Sequence, residues 1–246
     1  MTCRLRVDPG SLRRGPREIS GDDHHYLFRV RRLGVGDSLQ LFDGAGVEAA
    51  ATVEQVTART AVVMVGEPEA RPVPQGPRLT IAQALLKGDR MDFCVQKLVE
   101  LGASAIIPLR TSRTVVDVQG ERGDRRRRRF ESIARGAARQ SGRTVVPTIE
   151  NITTLDVFWS QVHRFDLLLM PWEGESVRSL RSVLPAEGPG SICVVVGPEG
   201  GFDASEVTRA REVGFTTIHL GPYILRAETA ALAIASVIAF YYGDPR

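Results

Sequence analysis

Two glycine-bearing turns near the C-terminus hold the residue types that chemistry needs. One closes the stretch Ser191-Ile-Cys-Val-Val-Val-Gly-Pro-Glu-Gly-Gly-Phe202. The other lies in Thr216-Thr-Ile-His-Leu-Gly-Pro-Tyr-Ile-Leu-Arg-Ala-Glu-Thr-Ala230. Each follows a short apolar run, precedes a helical pattern and carries a charged residue. Such a run predicts a buried parallel strand, and open α/β sheets bind ligands beyond the C-terminal ends of their strands. Gly197, Gly200 and Gly201 remove Cβ atoms where a backbone would approach a ligand closely. Asp203-Ala-Ser-Glu206 has the spacing of a capping box and predicts a helix start. A single turn of this kind is ordinary punctuation between strand and helix; two in succession, each with a charge, argue for a site. No Gly-Lys-Ser/Thr follows the glycines, so this is not a phosphate loop. The spacing of Gly197-Pro-Glu-Gly-Gly201 is not that of the dinucleotide fingerprint G-x-G-x-x-G. What remains is a site suited to a nucleoside-like ligand without a pyrophosphate.

The elements that position these turns read as β-α-β alternation, which argues for a parallel sheet. Leu79 to Leu85 predicts a strand. A helix follows with Met91, Cys94, Val95, Leu98 and Val99 near one face and Gly102 just past its end. Ala105 to Leu109 and Phe165 to Glu173 predict further strands. Lys97 and Glu100 read as an ordinary exposed i, i+3 pair. The apolar stretch Ala230 to Tyr242 is too short to span a bilayer and predicts a buried C-terminal helix.

Before residue 66 the pattern changes to short strands with glycine turns, which suggests a small barrel. Asp37 to Asp43, Val47 to Val56 and Thr60 to Val65 are its clearest strands, and His24 to Leu33 predicts a helix with Tyr26, Val30 and Leu33 on one side. Four prolines between Gly66 and Pro77 predict a stiff extended linker with a boundary near residue 73.

The formal charge is only +3, but of 32 basic residues only Lys87 and Lys97 are lysine. A biased genome composition is the plainer explanation of that excess, although arginine's planar fork suits phosphate and base contacts. Arg4, Arg6, Arg29, Arg31 and Arg32 are candidates for a basic patch on the first domain, against the alternative of a solvated face. Arg122 and Arg125 to Arg129 form the strongest block. They run into a helix with Phe130, Ile133 and Ala137 inward, and cations at a helix start are electrostatically disfavoured. Cys3, Cys94 and Cys193 are far apart, which fits a reducing cytoplasm and no zinc site.

Gly197-Pro-Glu-Gly-Gly-Phe202 with Leu220-Gly-Pro-Tyr-Ile-Leu-Arg-Ala-Glu-Thr-Ala230 resembles the RsmE-type family, the ribosomal small-subunit RNA uridine N3-methyltransferases of the SPOUT superfamily. The resemblance extends to Lys87-Gly-Asp-Arg-Met-Asp-Phe93, to Gln140-Ser-Gly-Arg143 and to the histidines, basic helix and Leu-Phe-Asp-Gly of the first domain. It implies an α/β architecture: a PUA-like RNA-binding β-barrel over residues 1–72, then a SPOUT methyltransferase domain over 73–246 with a C-terminal trefoil knot. It also implies S-adenosyl-L-methionine as cofactor, held by three strand-end loops through Leu169, Met170, Pro171, Gly197, Pro198, Glu199, Gly200, Leu220, Gly221, Ile224, Leu225 and Thr229. Arg226 would stabilise the uracil anion; Glu228 or an ordered water would take the proton, unless Arg226 and Glu228 form a structural ion pair. RNA contacts fall to Arg4, Arg6, Arg29, Arg31, Arg32, Arg125, Arg126, Arg139 and Arg143. The implied partner is 16S ribosomal RNA in the small subunit, the implied state a homodimer, without metal or membrane. Tyr223 stands where the family pattern has Arg, and Ala227 where it has Thr. The rival reading from another class is a non-catalytic RNA-binding assembly factor with a vestigial pocket; a second rival is the unknotted methyltransferase fold. The latter would place its glycine loop after the first strand of the domain rather than near the end.

Overall fold

A computed structural model describes residues 3–72, 76–115 and 120–243. The expected boundary at residue 73 lies outside the described residues. The chain forms two compact units. The first takes the chain up to the linker and also Ala138–Val146; the second takes the rest.

The first unit comprises β1 (Cys3–Arg6), β2 (Gly15–Ser20), α1 (Gly21–His24), a π-helix over His25–Val30, β3 (Ser38–Phe42), β4 (Val47–Val56), β5 (Thr60–Val65) and β6 (Glu69–Ala70). Among the described residues the sheet runs β1-β3-β4-β5-β2, with β6 on β4 and only the β1–β3 pair parallel. Alternating residues of these strands, among them Leu5, Leu39, Leu41, Ala51, Val53 and Val63, fill one core. The Leu-Phe-Asp-Gly motif is a turn: Asp43 Oδ1 accepts from the amides of Ala45 (2.8 Å) and Val47 (3.0 Å), and Gly44 sits at φ +79°. The helix before β3 differs from its expectation. The amide of Arg31 reaches back to the carbonyl of Tyr26, five residues away. That wider turn rotates the face, so Leu27 and Phe28 are buried while Val30 is 59% exposed. Tyr26 and Leu33 pack against the core as expected.

Ala138–Val146 closes this unit. Val145 bridges to Gly44 and Ala45, the amide of Val146 donates to the carbonyl of Gly44 (3.0 Å), and the guanidinium of Arg139 lies 4.1 Å from the centre of the Tyr26 ring.

The second unit holds β7 (Arg78–Ala84), α2 (Arg90–Glu100), β8 (Ala105–Arg110), α3 (Glu121–Ser141, whose last turn belongs to the first unit), β9 (Thr148–Ile149), β10 (Thr153–Thr154), α4 (Leu155–Trp159), β11 (Leu167–Pro171), α5 (Leu180–Val183), β12 (Ser191–Val196), α6 (Ala204–Glu212), β13 (Thr216–Ile218) and α7 (Ala227–Tyr242). Its sheet is parallel throughout, in the order β10-β8-β7-β12-β11-β13 with β9 on β8. β12 is buried along its whole length, as its run of β-branched residues predicts. On α2 the five residues expected on one face are all buried, and Gly102 follows at φ +92°. α3 buries Phe130, Ala134 and Ala137, with Ile133 only half-buried. α7 departs from full burial: Ala231, Ile234, Ala235 and Ile238 turn inward, whereas Val237, Phe240 (91%) and Tyr241 are exposed.

Candidate active site

Parallel register aligns the strand ends on one edge of the sheet. Leu169 stands level with Val194 and Thr216, and Val194 with Ile81. The turns after β7, β11, β12 and β13 therefore leave the sheet side by side. Leu169 and Met170 lie inside it, fully buried, and Pro171 is half-buried at its rim.

The turn after β12 is fixed from three directions. Gln83, fully buried on β7, donates through Nε2 to the carbonyls of Ala84 (3.0 Å) and Gly197 (3.3 Å). Glu199 Oε1 accepts from the amide of Lys87 (3.0 Å) and pairs with Arg90 (3.3 Å). Arg113 donates to the carbonyl of Gly200 (2.7 Å). The three glycines differ in what they permit. A Cβ on Gly197 would sit 3.2 Å from the Phe202 ring. One on Gly201, at φ +69°, would sit 2.7 Å from Glu173 Oε1, whereas one on Gly200 would make ordinary contact with Arg113 at 3.5 Å. Asp203 and Glu206 form the expected capping box at the start of α6.

The second turn runs from Leu220 to Arg226. Gly221 has φ +127° with open space where a Cβ would point, and Ile224 is 86% exposed beside the half-buried Leu225. Arg226 caps α7 in extended conformation, and the amide of Ala230 donates to its carbonyl (2.8 Å). Extension at the cap turns the chain so that Arg226, Glu228 and Thr229 open on one cleft of about 640 Å³, opposite Lys87, Gly88, Asp89, Arg90 and Phe93. Glu228 Oε2 is buried without a hydrogen-bond partner, and no Arg226–Glu228 ion pair forms among the described residues. A buried acceptor without a partner is costly. Cys94, beneath the cleft on α2, has its thiol pushed up to about 12 by burial and then by the charge of Glu228. Phe93 stays 47% exposed, an apolar surface in an otherwise charged cleft.

The cleft thus joins Arg226, Glu228 and Thr229, while Gly197 to Gly200 and Leu220 to Leu225 flank the strand ends outside its lining. Its opposite wall, Lys87 to Arg90 with Phe93, was not among the expected site residues. Its signal was present, since Lys87-Gly-Asp-Arg90 is itself a turn between a strand and a helix, like the two C-terminal turns.

Of the arginines expected to meet RNA, Arg29, Arg31 and Arg32 are exposed, Arg32 at φ +58°. Arg4 has internal partners: Glu48 Oε2 at 3.0 Å, the carbonyl of Arg143 at 3.4 Å and the Phe42 ring at 4.9 Å. Arg6 is half-buried near Gly44, and burial lowers the Arg143 guanidinium below its ordinary range. Arg125 and Arg126 lie on the second unit, on a separate cleft.

Comparison with known proteins decides the family. Residues 74–239 match the RNA methyltransferase domain family, and residues 19–64 match the RNA methyltransferase PUA domain. The chain is 32% identical over 229 residues to ribosomal RNA small subunit methyltransferase E of Bacillus subtilis, covering 90% of this chain and 89% of that protein. The chain belongs to the ribosomal RNA small subunit methyltransferase E family. Solved structures agree. A family member from Neisseria gonorrhoeae bound to S-adenosyl methionine superimposes with a TM-score of 0.89 at 30% identity over 99% of both chains. A putative methyltransferase from Legionella pneumophila, in complex with the cofactor SAM, gives 0.91 at 31% identity over 100% of both. As a member of the methyltransferase E family, the protein has an RNA methyltransferase domain in its second unit and a PUA domain in its first.

Proposed function

We propose that the protein transfers the methyl group of S-adenosylmethionine to N3 of a uridine in 16S ribosomal RNA of the small subunit. The observation that carries this reading is Glu228: a carboxylate with a buried, unpartnered oxygen, beside Arg226, in a cleft at the ligand-binding edge of the sheet. The loop that would hold the cofactor fits a nucleoside. Gly221 leaves open space, Ile224 and Tyr223 offer uncovered apolar surface, and Gly197 to Gly200 present backbone groups at a neighbouring strand end. S-adenosylmethionine supplies an already activated methyl group, so the protein's task is alignment and electrostatics.

Uracil N3 carries a proton that must leave before or as the methyl group arrives. Glu228 Oε2 accepts it, having no competing hydrogen bond to surrender. Its loss builds negative charge on the ring oxygens, and Arg226, with Lys87 across the cleft, donates to that charge. Phe93 supplies a face for the base to stack on. The exposed arginines of the first unit, Arg29, Arg31 and Arg32, add backbone contacts to RNA. The exposed face of α7, with Val237, Phe240 and Tyr241, supports a homodimer, and three buried free thiols suit the cytoplasm. The position of β13 beyond β11, followed by the return of α7 onto α2, β7 and β12, supports a threaded C-terminus.

The test is methyl transfer from labelled S-adenosylmethionine to small subunits isolated from cells lacking the activity. Digestion and mass spectrometry should yield 3-methyluridine. Cofactor binding without any methylated nucleoside would favour the non-catalytic assembly factor, and another methylated nucleoside would overturn the assigned position.

A further inference from the structure

The arginine block resolves into faces on α3. Arg122, Arg125, Arg126 and Arg129 follow the i, i+3, i+4, i+7 spacing and fall on one stripe. Phe130, Ala134 and Ala137 fall on the core face, and Arg127 pairs with Glu131. Arg128 and Arg135 are exposed and lie off the stripe.

The stripe lines a cleft of about 410 Å³ whose other wall is Gly88, Asp89 and Asp92. Its charges do not cancel. Both aspartates are taken up by Arg129, whose Nε meets Asp92 Oδ2 at 2.7 Å and whose Nη2 lies 3.7 Å from Asp89 Oδ1. These bonds raise the Arg129 guanidinium above its ordinary range, the hydrogen bond to Asp92 first. Among the described residues no carboxylate lies within ion-pair distance of Arg125 or Arg126, and Arg126 is half-buried. Two adjacent guanidinium groups thus face a cavity with their charge uncompensated. Such a pair repels itself unless an anion sits between the forks, and a phosphate accepts from both.

Gly88 and Asp89 also line the cleft of Arg226 and Glu228. The two clefts therefore adjoin at Gly88 and Asp89. We infer that the arginine cleft is a binding subsite for the RNA phosphodiester next to the nucleotide seated against Arg226 and Glu228. The inference rests on the methyl-transfer reading of that neighbouring cleft. It gives Arg125 and Arg126 a positioning role: they grip the backbone so that the base enters the adjoining cleft in register.

The experiment is equilibrium binding of a single-stranded RNA oligonucleotide carrying one uridine, across a salt series. R125Q/R126Q is compared with R128Q/R135Q, which removes the same charge from the same helix away from the cleft. All four positions are solvent-facing or half-buried, and glutamine is a good helix former, so melting curves should match wild type. R125Q/R126Q should weaken binding about tenfold or more and reduce the log–log salt slope by about 0.7, because one phosphate is no longer neutralised. R128Q/R135Q should stay within about twofold of wild type. Replacing the phosphate 5′ or 3′ of the uridine by neutral methylphosphonate should weaken wild-type binding at one of the two positions and leave R125Q/R126Q unaffected there. Equal losses in both double variants, or no loss in either, would overturn the subsite, as would methylphosphonates that act alike on wild type and R125Q/R126Q. Because the readout is binding, a wild-type protein without methyl transfer would overturn the catalytic reading separately.

Discussion

Replacing Glu228 by glutamine separates catalysis from folding, because the two should move in opposite directions. The amide keeps the volume and shape of the carboxylate, so packing beside Cys94 and α2 is preserved. It cannot accept a proton as a base does. A positioned general base contributes about 10²–10⁴ in rate, so kcat should fall by that factor, about 2.7–5.4 kcal/mol of transition-state free energy. Stability should not fall. In the wild type Oε2 is a buried acceptor with no partner among the described residues, and an amide carries a smaller desolvation cost than a carboxylate, so unfolding free energy should stay level or rise by about 1 kcal/mol. Glu228→Asp retains the charge but withdraws it by one methylene, and a misplacement of about 1 Å costs on the order of 10²-fold. The assay is single-turnover methyl transfer to small subunits with saturating cofactor, alongside urea unfolding of each variant. A Glu228→Gln rate within about threefold of wild type would refute the base assignment. So would an activity loss accompanied by a matching loss of stability, since Glu228 would then be a structural group.

Arg226→Ala should lower the methyl-transfer rate by about 10²–10³ while calorimetry shows nearly unchanged cofactor affinity, because the backbone at the α7 cap is retained. Gly201→Ala should destabilise the protein by at least about 1–2 kcal/mol, since its φ is left-handed and the new Cβ meets Glu173. Gly200→Val should instead fold normally, because only the flexible Arg113 lies near, and should lose cofactor binding; intact affinity would place the pocket elsewhere. Glu175 gives an acid signature. Its carboxyl is held at about 2, below the ordinary 4.5, first by the Thr217 hydroxyl and then by the amides of Val177 and Arg178. A depressed pKa stabilises the fold above the unfolded value and loses that stability as pH falls from 4.5 toward 2. Melting temperature should therefore drop more steeply below pH 4.5 in wild type than in Glu175→Gln.

Where side-chain periodicity decides structure, the sequence was readable. Val47–Val56, Thr60–Val65 and the inward face of α2 follow alternation or 3.6-residue spacing, and the Asp203–Glu206 cap is a local exchange of hydrogen bonds. Periodicity fails where backbone geometry changes. Around Tyr26 a π-turn reassigns burial from Val30 to Leu27 and Phe28. The turn at Lys87 to Arg90 was legible as a turn, but its pairing with Glu199 and the anchor at Gln83 were not, because parallel register across β7 and β12 joins residues more than a hundred positions apart. Arg4 read as a surface charge because its partner Glu48 sits on another strand. α7 read as a buried helix, and composition does not say which of its faces the sheet covers.

The return of Ala138–Val146 to the first unit sets a timetable for synthesis. On the ribosome the strands of that unit emerge early, but Val145, which bridges Gly44 and Ala45, is made roughly 80 residues after the linker begins at Gly66. At about 5–20 residues per second the nascent sheet waits roughly 4–16 s with that edge uncovered. For the same reason the unit is not a cassette. A gene cut at the linker delivers a fragment without its closing segment, so recombination can move the PUA unit intact only together with the first part of the methyltransferase domain.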